Sequence, residues 1–344
     1  MPRKVGVIAN PISGRDIRRI VAKANNLQVA DRANILLRAL AGLGACGVPD
    51  VVMMPERGGL AGHVLRQLAQ TSRRGDERFP RLALLDMPVT GTAEDSRRAA
   101  RLMAREDIAA IIVLGGDGTH RIVAAECGAI PIAGVSTGTN NAFPEMREPT
   151  VTGFATGLVA SGAVPDAIGL KGNKWLEARV DDNAPEIALV DIAVVAEQNL
   201  GARALWRVET FRELYVAFAD PNLIGMSAIA GLIEPVGRDE PGGLMMRLAP
   251  AETAPMSVLA PIAPGLVEKI GVEHWRRFTT GETISTTVPA GSIALDGERE
   301  LTFDRRQKIS IELIENAFRT IDVPAVMGFA AASGLLREKA LACA

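Results

Sequence analysis

The amino-acid sequence predicts an α/β amino-terminal domain with a parallel sheet, followed by a mostly antiparallel β domain. Over the first 150 residues, short apolar runs of strand character alternate with helical patterns. Such alternation is typical of a parallel sheet covered by helices on both faces. After about residue 163, β-like runs follow one another and are separated by Gly and Pro. A chain of 344 residues also fits two domains better than one, since single cores rarely grow that large.

The first half of the chain is predicted to alternate between strands and helices. Helices are indicated where apolar residues recur at helical spacing behind a capping residue, as after Asp31 and Thr92. Strands are indicated by short apolar runs, of which 108–114 is the clearest. The predicted strands cover 4–9, 51–54, 82–85, 108–114 and 130–135, and the predicted helices cover 31–43, 60–68, 92–105 and 120–127.

The second half is predicted to consist mainly of strands. Its β-rich runs occupy 186–196, 244–249, 282–288, 293–295 and 309–314. One helix is predicted within this region, over 205–219. The Ala- and Leu-rich end of the chain, 325–341, is predicted to form a last helix.

Composition and charge give no reason to expect nucleic acid or a membrane surface as a partner. The formal net charge is −2, and acidic and basic residues are mixed along the chain. The three cysteines are widely spaced and odd in number, which favours a reducing compartment over a disulfide framework. No apolar stretch has the length of a membrane span, and no signal peptide is indicated. We therefore expect a cytoplasmic protein that binds small-molecule substrates. Whether it forms a homo-oligomer stays open at this point.

The strongest chemical signal is a glycine-rich loop between the clearest strand and a predicted helix. Glycines let the backbone approach a ligand closely, and the N–H groups at a helix start form a site for phosphate. A carboxylate beside phosphates fits a kinase, which binds a cation and removes a proton. An ordinary tight turn is the alternative. We predict that Asp117 is catalytic, or binds Mg²⁺ through the phosphates, and that the ATP phosphates contact Gly115, Gly116, Gly118 and Thr119.

Two further polar loops are predicted to leave the same edge of the sheet. The segment 136–141 follows a strand and combines hydroxyls and amides with a glycine, which suits contacts to a nucleotide. The segment 10–14 follows the first strand. An ordinary polar loop or turn is the alternative for each. Together with the glycine-rich loop, they predict ATP contacts from Asn10, Pro11, Ser13, Gly14, Thr137, Gly138, Thr139, Asn140 and Asn141.

A fourth segment, Asp296-Gly297-Glu298, lies between two predicted strands of the second half. Asp-Gly is a common hairpin turn, so a structural role is the first interpretation. The sequence 42–47 spells GxGxxG, but it follows a helix and precedes a strand, the reverse of a dinucleotide-binding context. The chain has no GxxxxGK[ST] and no protein-kinase HRD or DFG motif.

The four segments, in this order, resemble the superfamily of NAD kinases, diacylglycerol kinases and sphingosine kinases. The stretches 8–19, 115–121 and 136–144 are similar to the AcoX-like branch of ATP–NAD kinases, which is linked to acetoin catabolism. The resemblance covers about residues 4–320.

The resemblance implies an α/β domain and a C-terminal antiparallel β-sandwich, with the active site in the cleft between them. On this basis we expect a nucleotide-binding domain over 1–150, an acceptor domain over 151–322, and a helix over 323–344 that returns to the first domain. The resemblance also implies that Asp117 lies at the catalytic centre. Asp296 and Glu298 are expected to supply acid or base chemistry, as the matching turn does in the lipid-kinase members.

Two positions depart from the NAD kinase pattern. Where those enzymes have an Asn followed by an acidic residue, this chain has Val190 and Asp191, and the valine side chain cannot form a hydrogen bond. The stretch 225–231 is the nearest analogue of a Gly-Ser-Thr-Ala-Tyr segment, and it lacks the aromatic residue. By resemblance, Asp191 and Ser227 are the acceptor-binding candidates. NAD as acceptor is therefore in doubt, whereas ATP as donor is little affected.

The sequence thus predicts a kinase that uses ATP and Mg²⁺ to phosphorylate a hydroxyl of a small acceptor. NAD is the leading acceptor, with NADP as product. Two alternatives stay open: a kinase for another polar metabolite or a lipid-like alcohol, and a non-catalytic nucleotide-binding accessory or regulatory protein of acetoin catabolism. We also expect Asp117→Asn to lower turnover on the order of 10²-fold or more while stability stays near that of the wild type.

Overall fold

A computed structural model describes residues 4–10, 27–73, 78–137, 141–197 and 208–337. The strands in these ranges form a nine-stranded sheet and a seven-stranded sheet, called here the first and the second sheet. The strands are β1 (Lys4–Ala9), β2 (Asp50–Met53), β3 (Arg81–Leu84), β4 (Ile108–Gly115), β5 (Ile132–Ser136), β6 (Leu170–Val180), β7 (Glu186–Ala188), β8 (Asp191–Val195), β9 (Phe211–Val216), β10 (Gly243–Ala249), β11 (Met256–Ala263), β12 (Leu266–Phe278), β13 (Ile284–Ser285), β14 (Gly291–Leu295), β15 (Glu298–Phe303) and β16 (Ile309–Ile321). The helices are α1 (Val29–Ala45), α2 (Leu60–Arg73), α3 (Ala93–Met103), α4 (Asp117–Glu126), α5 (Pro149–Ala160), α6 (Asp166–Gly169), α7 (Met226–Gly231) and α8 (Val323–Ser333).

The predicted parallel sheet is confirmed in the first half of the chain. Strands β1 to β5 are parallel and lie in the order β3-β2-β1-β4-β5. All eight residues of β4 are buried, as expected for a strand between two helix layers. Residues of α1, α2, α5 and α8 pack on one face, and residues of α3 and α4 pack on the other. The carboxyl ends of the parallel strands meet at one edge, where ligands bind in open α/β sheets.

The first sheet continues into residues that follow the parallel part. Strand β16 pairs parallel with β5 at Thr320 and Ile132, and it pairs antiparallel with β6 along most of its length. The second sheet is antiparallel throughout, in the order β11-β12-β10-β9-β8-β14-β15. One hydrophobic cluster joins the two sheets, with Leu313 of β16 and Ile192 of β8 among its members. The predicted antiparallel sandwich is therefore confirmed.

The last described helix, α8, is shorter than the predicted one. The Asp322 carboxylate accepts a hydrogen bond from the Ala325 N–H (3.0 Å) at its start, and Gly334, with φ of 69°, ends it. Val326 and Ala330 pack in the cluster that contains β1 and α1. Among the described residues, none of the helices combines the length and the apolar character needed to cross a bilayer.

The predicted helix over 205–219 is wrong in its described part. Val208–Thr210 forms a short 3₁₀ helix, and Phe211–Val216 forms β9, which pairs with β8 and β10. Glu213 lies in β9 and is buried in the sheet. Its carboxylate accepts hydrogen bonds from the hydroxyls of Tyr215, Thr286 and Thr287 and from the N–H of Thr287. Four donors compensate the cost of burying this carboxylate.

Candidate functional site

The glycine-rich loop lies where β4 ends and α4 begins, with Gly116 as the residue before the helix. A methyl group added to Gly115 would lie 2.5 Å from the Cβ of Thr119. A methyl group on Gly116 would lie 2.8 Å from Oδ1 of Asn141. Packing inside the protein therefore explains the glycines at these two positions.

Packing does not explain Gly118, which is already inside α4. A methyl group added there would have a single neighbour within 4 Å among the described atoms, Oε1 of Glu298 at 3.9 Å. Glycine in a helix costs about 0.5–1 kcal/mol relative to alanine. The open space beside Gly118 thus leaves the backbone of the first helical turn accessible to a ligand.

Asp117 links the glycine-rich loop to the loop after β5. Its Oδ1 accepts a hydrogen bond from the Phe143 N–H (2.8 Å), and its Oδ2 accepts one from the Ala142 N–H (2.9 Å). The carboxylate also lies at the first position of α4, where the helix dipole favours a negative charge. In the same loop, Asn141 Nδ2 donates to Ser136 Oγ (2.9 Å). The structure therefore brings together the two loops that the sequence singled out.

His120 supports the glycine-rich loop from within α4, and sequence reasoning missed this role. Its Nδ1 lies 2.9 Å from the Gly116 carbonyl oxygen, so Nδ1 carries the proton and donates it. Burial lowers the pKa of His120 to about 4, which keeps the ring neutral at physiological pH. The ring also packs against Phe143, with 5.9 Å between centroids. The spacing of four residues between Gly116 and His120, one helical turn, was the available signal.

The Asp-Gly-Glu segment forms a two-residue hairpin turn between β14 and β15. Asp296 and Gly297 have φ angles of 50° and 78°, as a type I′ turn requires. The Asp296 carboxylate accepts hydrogen bonds from the N–H groups of Val190 (2.8 Å) and Leu189 (3.2 Å). Burial raises the pKa of Asp296, while Arg121, whose Nε lies 3.9 Å from Oδ2, and the backbone N–H groups oppose that rise. These contacts give Asp296 a structural role in joining the hairpin to β8.

Glu298 is more accessible to a ligand than Asp296. The Asp296 side chain is only 2% exposed and faces Arg121 of α4. Glu298 is partly exposed, and its Oε1 lies on the open side of Gly118. The hairpin thus brings both carboxylates to α4, one buried against the helix and one near its first turn.

The two acceptor-binding candidates lie in different surroundings. Asp191 is buried at the start of β8, and its carbonyl oxygen accepts a hydrogen bond from the Asp296 N–H (2.9 Å). Ser227 is buried in α7, which packs on β8, β9 and β11 of the second sheet. The Val190 side chain lies in the hydrophobic cluster between the sheets. The structure therefore places Asp191 next to the hairpin and Ser227 in a helix that packs on the second sheet.

The remaining candidates lie at the carboxyl edge of the parallel sheet or outside the described residues. Asn10 directly follows β1. Thr137 directly follows β5, and its N–H donates to the Gly115 carbonyl oxygen (3.4 Å). The candidates outside the described residues are Pro11, Ser13, Gly14, Gly138, Thr139 and Asn140.

Comparison with known proteins identifies the class to which this fold belongs. Residues 5–164 match the family model of the ATP-NAD kinase N-terminal domain. A solved structure from Bacillus anthracis str. Sterne, proposed to be a diacylglycerol kinase, has a TM-score of 0.50 at 15% identity, over 93% of this chain and 98% of that one. Yeast NADH kinase complexed with NADH gives a TM-score of 0.46 at 13% identity, too low to support an argument, over 98% of this chain and 89% of that one. The chain has the NAD kinase/diacylglycerol kinase-like fold.

A match of the C-terminal half and a similar whole-length protein identify one family within this class. Residues 174–316 match the family model of the acetoin catabolism protein X C-terminal domain. The whole chain is 53% identical over 339 residues to acetoin catabolism protein X of Cupriavidus necator, covering 97% of this chain and 94% of that protein. The chain therefore belongs to the acetoin catabolism protein X family, as its motifs predicted.

Proposed function

We propose that this protein is an ATP-dependent kinase that phosphorylates a hydroxyl group of a small acceptor. The observation that carries the proposal is Gly118, a helical glycine whose missing side chain leaves open space at the start of α4. The N–H groups of a helix start bind phosphate, and a glycine there lets phosphate oxygens reach them. The ATP-NAD kinase N-terminal match over 5–164 supports the same placement of the nucleotide.

Phosphoryl transfer depends mainly on positioning and on neutralising charge. In the proposed reaction, the acceptor oxygen forms a bond to the γ-phosphorus of ATP, the bond to the β–γ bridging oxygen breaks, and ADP leaves. The acceptor proton passes to a carboxylate. Glu298 is our first candidate for that base, because it is partly exposed beside Gly118. Asp117, the first residue of α4, would orient the reacting groups, and its hydrogen bonds to the Ala142 and Phe143 N–H groups fix its position for this role.

Mg²⁺ is proposed to arrive with the nucleotide. The described residues contain no group of three or more His, Cys, Asp or Glu side chains that could hold a metal ion. Enzymes that use nucleotides commonly hold Mg²⁺ with one or two carboxylates and the substrate phosphates. Two carboxylates lie beside Gly118: Asp117 precedes it in α4, and Glu298 Oε1 lies 3.9 Å from the position of an added methyl group. When bound, the ion would neutralise charge on the phosphates during transfer.

The acceptor-binding residues are proposed to lie in the second half of the chain. We propose that 1–150 binds nucleotide and 151–322 binds the acceptor. The ATP-NAD kinase match favours NAD, giving NADP. The buried valine at position 190 argues against a standard dinucleotide pocket, because its side chain packs in the core and offers no hydrogen bond. We therefore propose weak NAD phosphorylation, or preference for another polar cytoplasmic alcohol.

A screen for ATP consumption tests the proposal. MgATP would be supplied with NAD, sugars, polyols and hydroxy acids, and ADP and phosphorylated products would be measured by mass spectrometry. We expect one class of alcohol to give product, and Asp117→Asn to suppress it. ATP binding without any product across the panel would instead support the accessory nucleotide-binding protein.

A further inference from the structure

One arginine connects the second half of the chain to the loop that binds Asp117. Arg238 lies in the segment between α7 and β10. Its Nη1 donates to the Phe143 carbonyl oxygen (2.8 Å), and its Nη2 donates to the Ala142 carbonyl oxygen. Its Cζ lies 4.4 Å from the ring centroid of Phe218 and 5.3 Å from that of Phe143. Two carbonyls and two aromatic rings therefore fix the guanidinium.

The segment that carries Arg238 is itself held firmly. Lys174 on β6 is buried, and its Nζ donates to three backbone carbonyl oxygens of this segment: Gly237 (3.1 Å), Glu240 (2.6 Å) and Gly242 (2.8 Å). Arg277 on β12 forms an ion pair with Glu240 (2.9 Å). Arg238 therefore lies in a segment that these hydrogen bonds and this ion pair hold in place.

The peptide group between Ala142 and Phe143 lies between opposite charges. Its carbonyl oxygen accepts from Arg238, and its N–H donates to Asp117 Oδ1 (2.8 Å). The negative end of the peptide dipole thus faces a cation, and the positive end faces a carboxylate. Hydrogen bonds to charged groups are stronger than neutral ones, and bonds in a chain polarise one another. Each charge therefore strengthens the bond made by the other.

We infer that Arg238 is a positioning residue for Asp117, acting through the 142–143 peptide group. The inference rests on the proposed kinase function for its catalytic consequence. Removing the guanidinium would leave two carbonyl oxygens without their donor and loosen the segment that fixes both oxygens of the carboxylate. The site in the first half of the chain would thereby depend on a residue from the second half.

The surroundings of Arg238 keep it charged. Burial lowers the pKa of Arg238, and four nearby carboxylates oppose that effect: Glu145, Asp117, Asp220 and Asp239. Arginine remains protonated in proteins across the physiological range.

The test compares Arg238→Met with Arg238→Lys and with a matched control. Methionine keeps an unbranched side chain beside the two phenyl rings and removes the donors; lysine keeps the charge but not the paired geometry. The control is Arg319→Met, because Arg319 Nη2 also donates to a backbone carbonyl, that of Ala129 (2.7 Å), beyond the opposite end of α4. We expect kcat to fall about 10- to 100-fold in Arg238→Met, less in Arg238→Lys and not in Arg319→Met, with KM for ATP within about threefold of the wild-type value.

Two further readouts distinguish positioning from a general structural effect. In the double variant Arg238→Met/Asp117→Asn, activity should be no lower than in Asp117→Asn alone, because both changes act on one unit. Hydrogen exchange of the Ala142 and Phe143 amides, measured without substrate, should accelerate at least tenfold in Arg238→Met and stay unchanged in Arg319→Met. Additive losses in the double variant, or unchanged exchange at both amides, would overturn the inference.

The exchange measurement also separates this inference from the proposed function. If the wild-type protein phosphorylates nothing, the kinase proposal fails, and exchange at the two amides still decides whether Arg238 fixes the loop that binds Asp117. If Arg238→Met does not fold, the same measurements on Arg238→Lys decide the question. Faster exchange at the two amides in the lysine variant supports the inference, and wild-type exchange contradicts it.

Discussion

Replacing Gly118 with alanine separates a ligand-binding role from a packing role. Among the described residues, the added methyl group would meet only Glu298 Oε1, at 3.9 Å, so this part of the folded protein can accept it without rearrangement. Alanine favours a helix over glycine by about 0.5–1 kcal/mol. We therefore expect Gly118→Ala to melt at the wild-type temperature or about 1–2 °C above it.

The same methyl group should weaken nucleotide binding. It would occupy the space through which a phosphate oxygen reaches the helix-start N–H groups. Losing one hydrogen bond to a charged group costs about 1.5–3 kcal/mol. That loss corresponds to a dissociation constant for MgATP about 10- to 150-fold higher.

The assay is isothermal titration calorimetry with MgATP, together with thermal melting, on three variants. Gly328→Ala is the matched control, since Gly328 lies in α8 and an added methyl group would have no neighbour within 4 Å in the part of the chain that the structure describes. It should change neither binding nor fold. Gly116→Ala should destabilise the protein, because its methyl group would lie 2.8 Å from Asn141 Oδ1. Wild-type MgATP affinity in a folded Gly118→Ala protein would show that the nucleotide does not bind at Gly118.

Three further predictions follow from the buried contacts of the site and its surroundings. Asp117→Asn should lower turnover on the order of 10²-fold. It should also reduce the free energy of unfolding by about 1–3 kcal/mol, because an amide NH₂ would face a backbone N–H. A wild-type free energy of unfolding, measured by chemical denaturation, would contradict this. Val190→Asn should lower the free energy of unfolding by about 1–3 kcal/mol, since the amide would lie in the core, and it should not raise the rate of NADP formation. Faster NADP formation would show that the side chain at position 190 contacts the acceptor. Burial lowers the pKa of Lys174 to about 8, so between pH 8 and about 10 the unfolded wild-type chain keeps a proton that the folded chain has released. Wild-type stability should therefore rise with pH relative to Lys174→Met over this range, and a constant difference in melting temperature would exclude the lowered pKa.

The Asp117 prediction revises an expectation from the sequence. A carboxylate in a glycine-rich loop suggested a residue needed for turnover but not for folding. The structure shows that both oxygens bind backbone N–H groups at positions 142 and 143, about one helix and one strand further along the chain. A hydrogen bond between a side chain and such a distant backbone leaves no pattern in the sequence.

The parallel half of the fold was predictable because each element there has a strong local signal. Strand β4 is an uninterrupted apolar run, and the glycine-rich loop follows it directly. Several strands of the second half were not predicted, because their local sequence signal is weak. In β12, charged residues on the exposed positions interrupt the apolar ones, and in β6 Lys174 is charged yet buried. Their strand character depends on pairing with distant partners.

The sequence singled out candidate site residues but not the contacts that each of them makes. The sequence singled out Asp296 and Glu298 together, because the turn resembles that of lipid kinases. Only the structure separates them: Asp296 is buried against three backbone N–H groups, and Glu298 borders the open space at Gly118. Arg238 carried no signal in the sequence, because its hydrogen-bond partners are backbone carbonyl oxygens that any residue supplies, and the two phenyl rings beside it are distant in the chain.

Transfer of labelled phosphate from [γ-³²P]ATP tests the central claim most directly. The wild-type protein, Asp117→Asn and Gly118→Ala would be incubated with Mg²⁺ and a panel of alcohols that includes NAD, and labelled products would be separated by chromatography. We expect a labelled product with the wild-type protein, and strongly reduced label with both variants under subsaturating ATP. Absence of any labelled product with a protein that binds MgATP, or undiminished labelling by both variants, would contradict it.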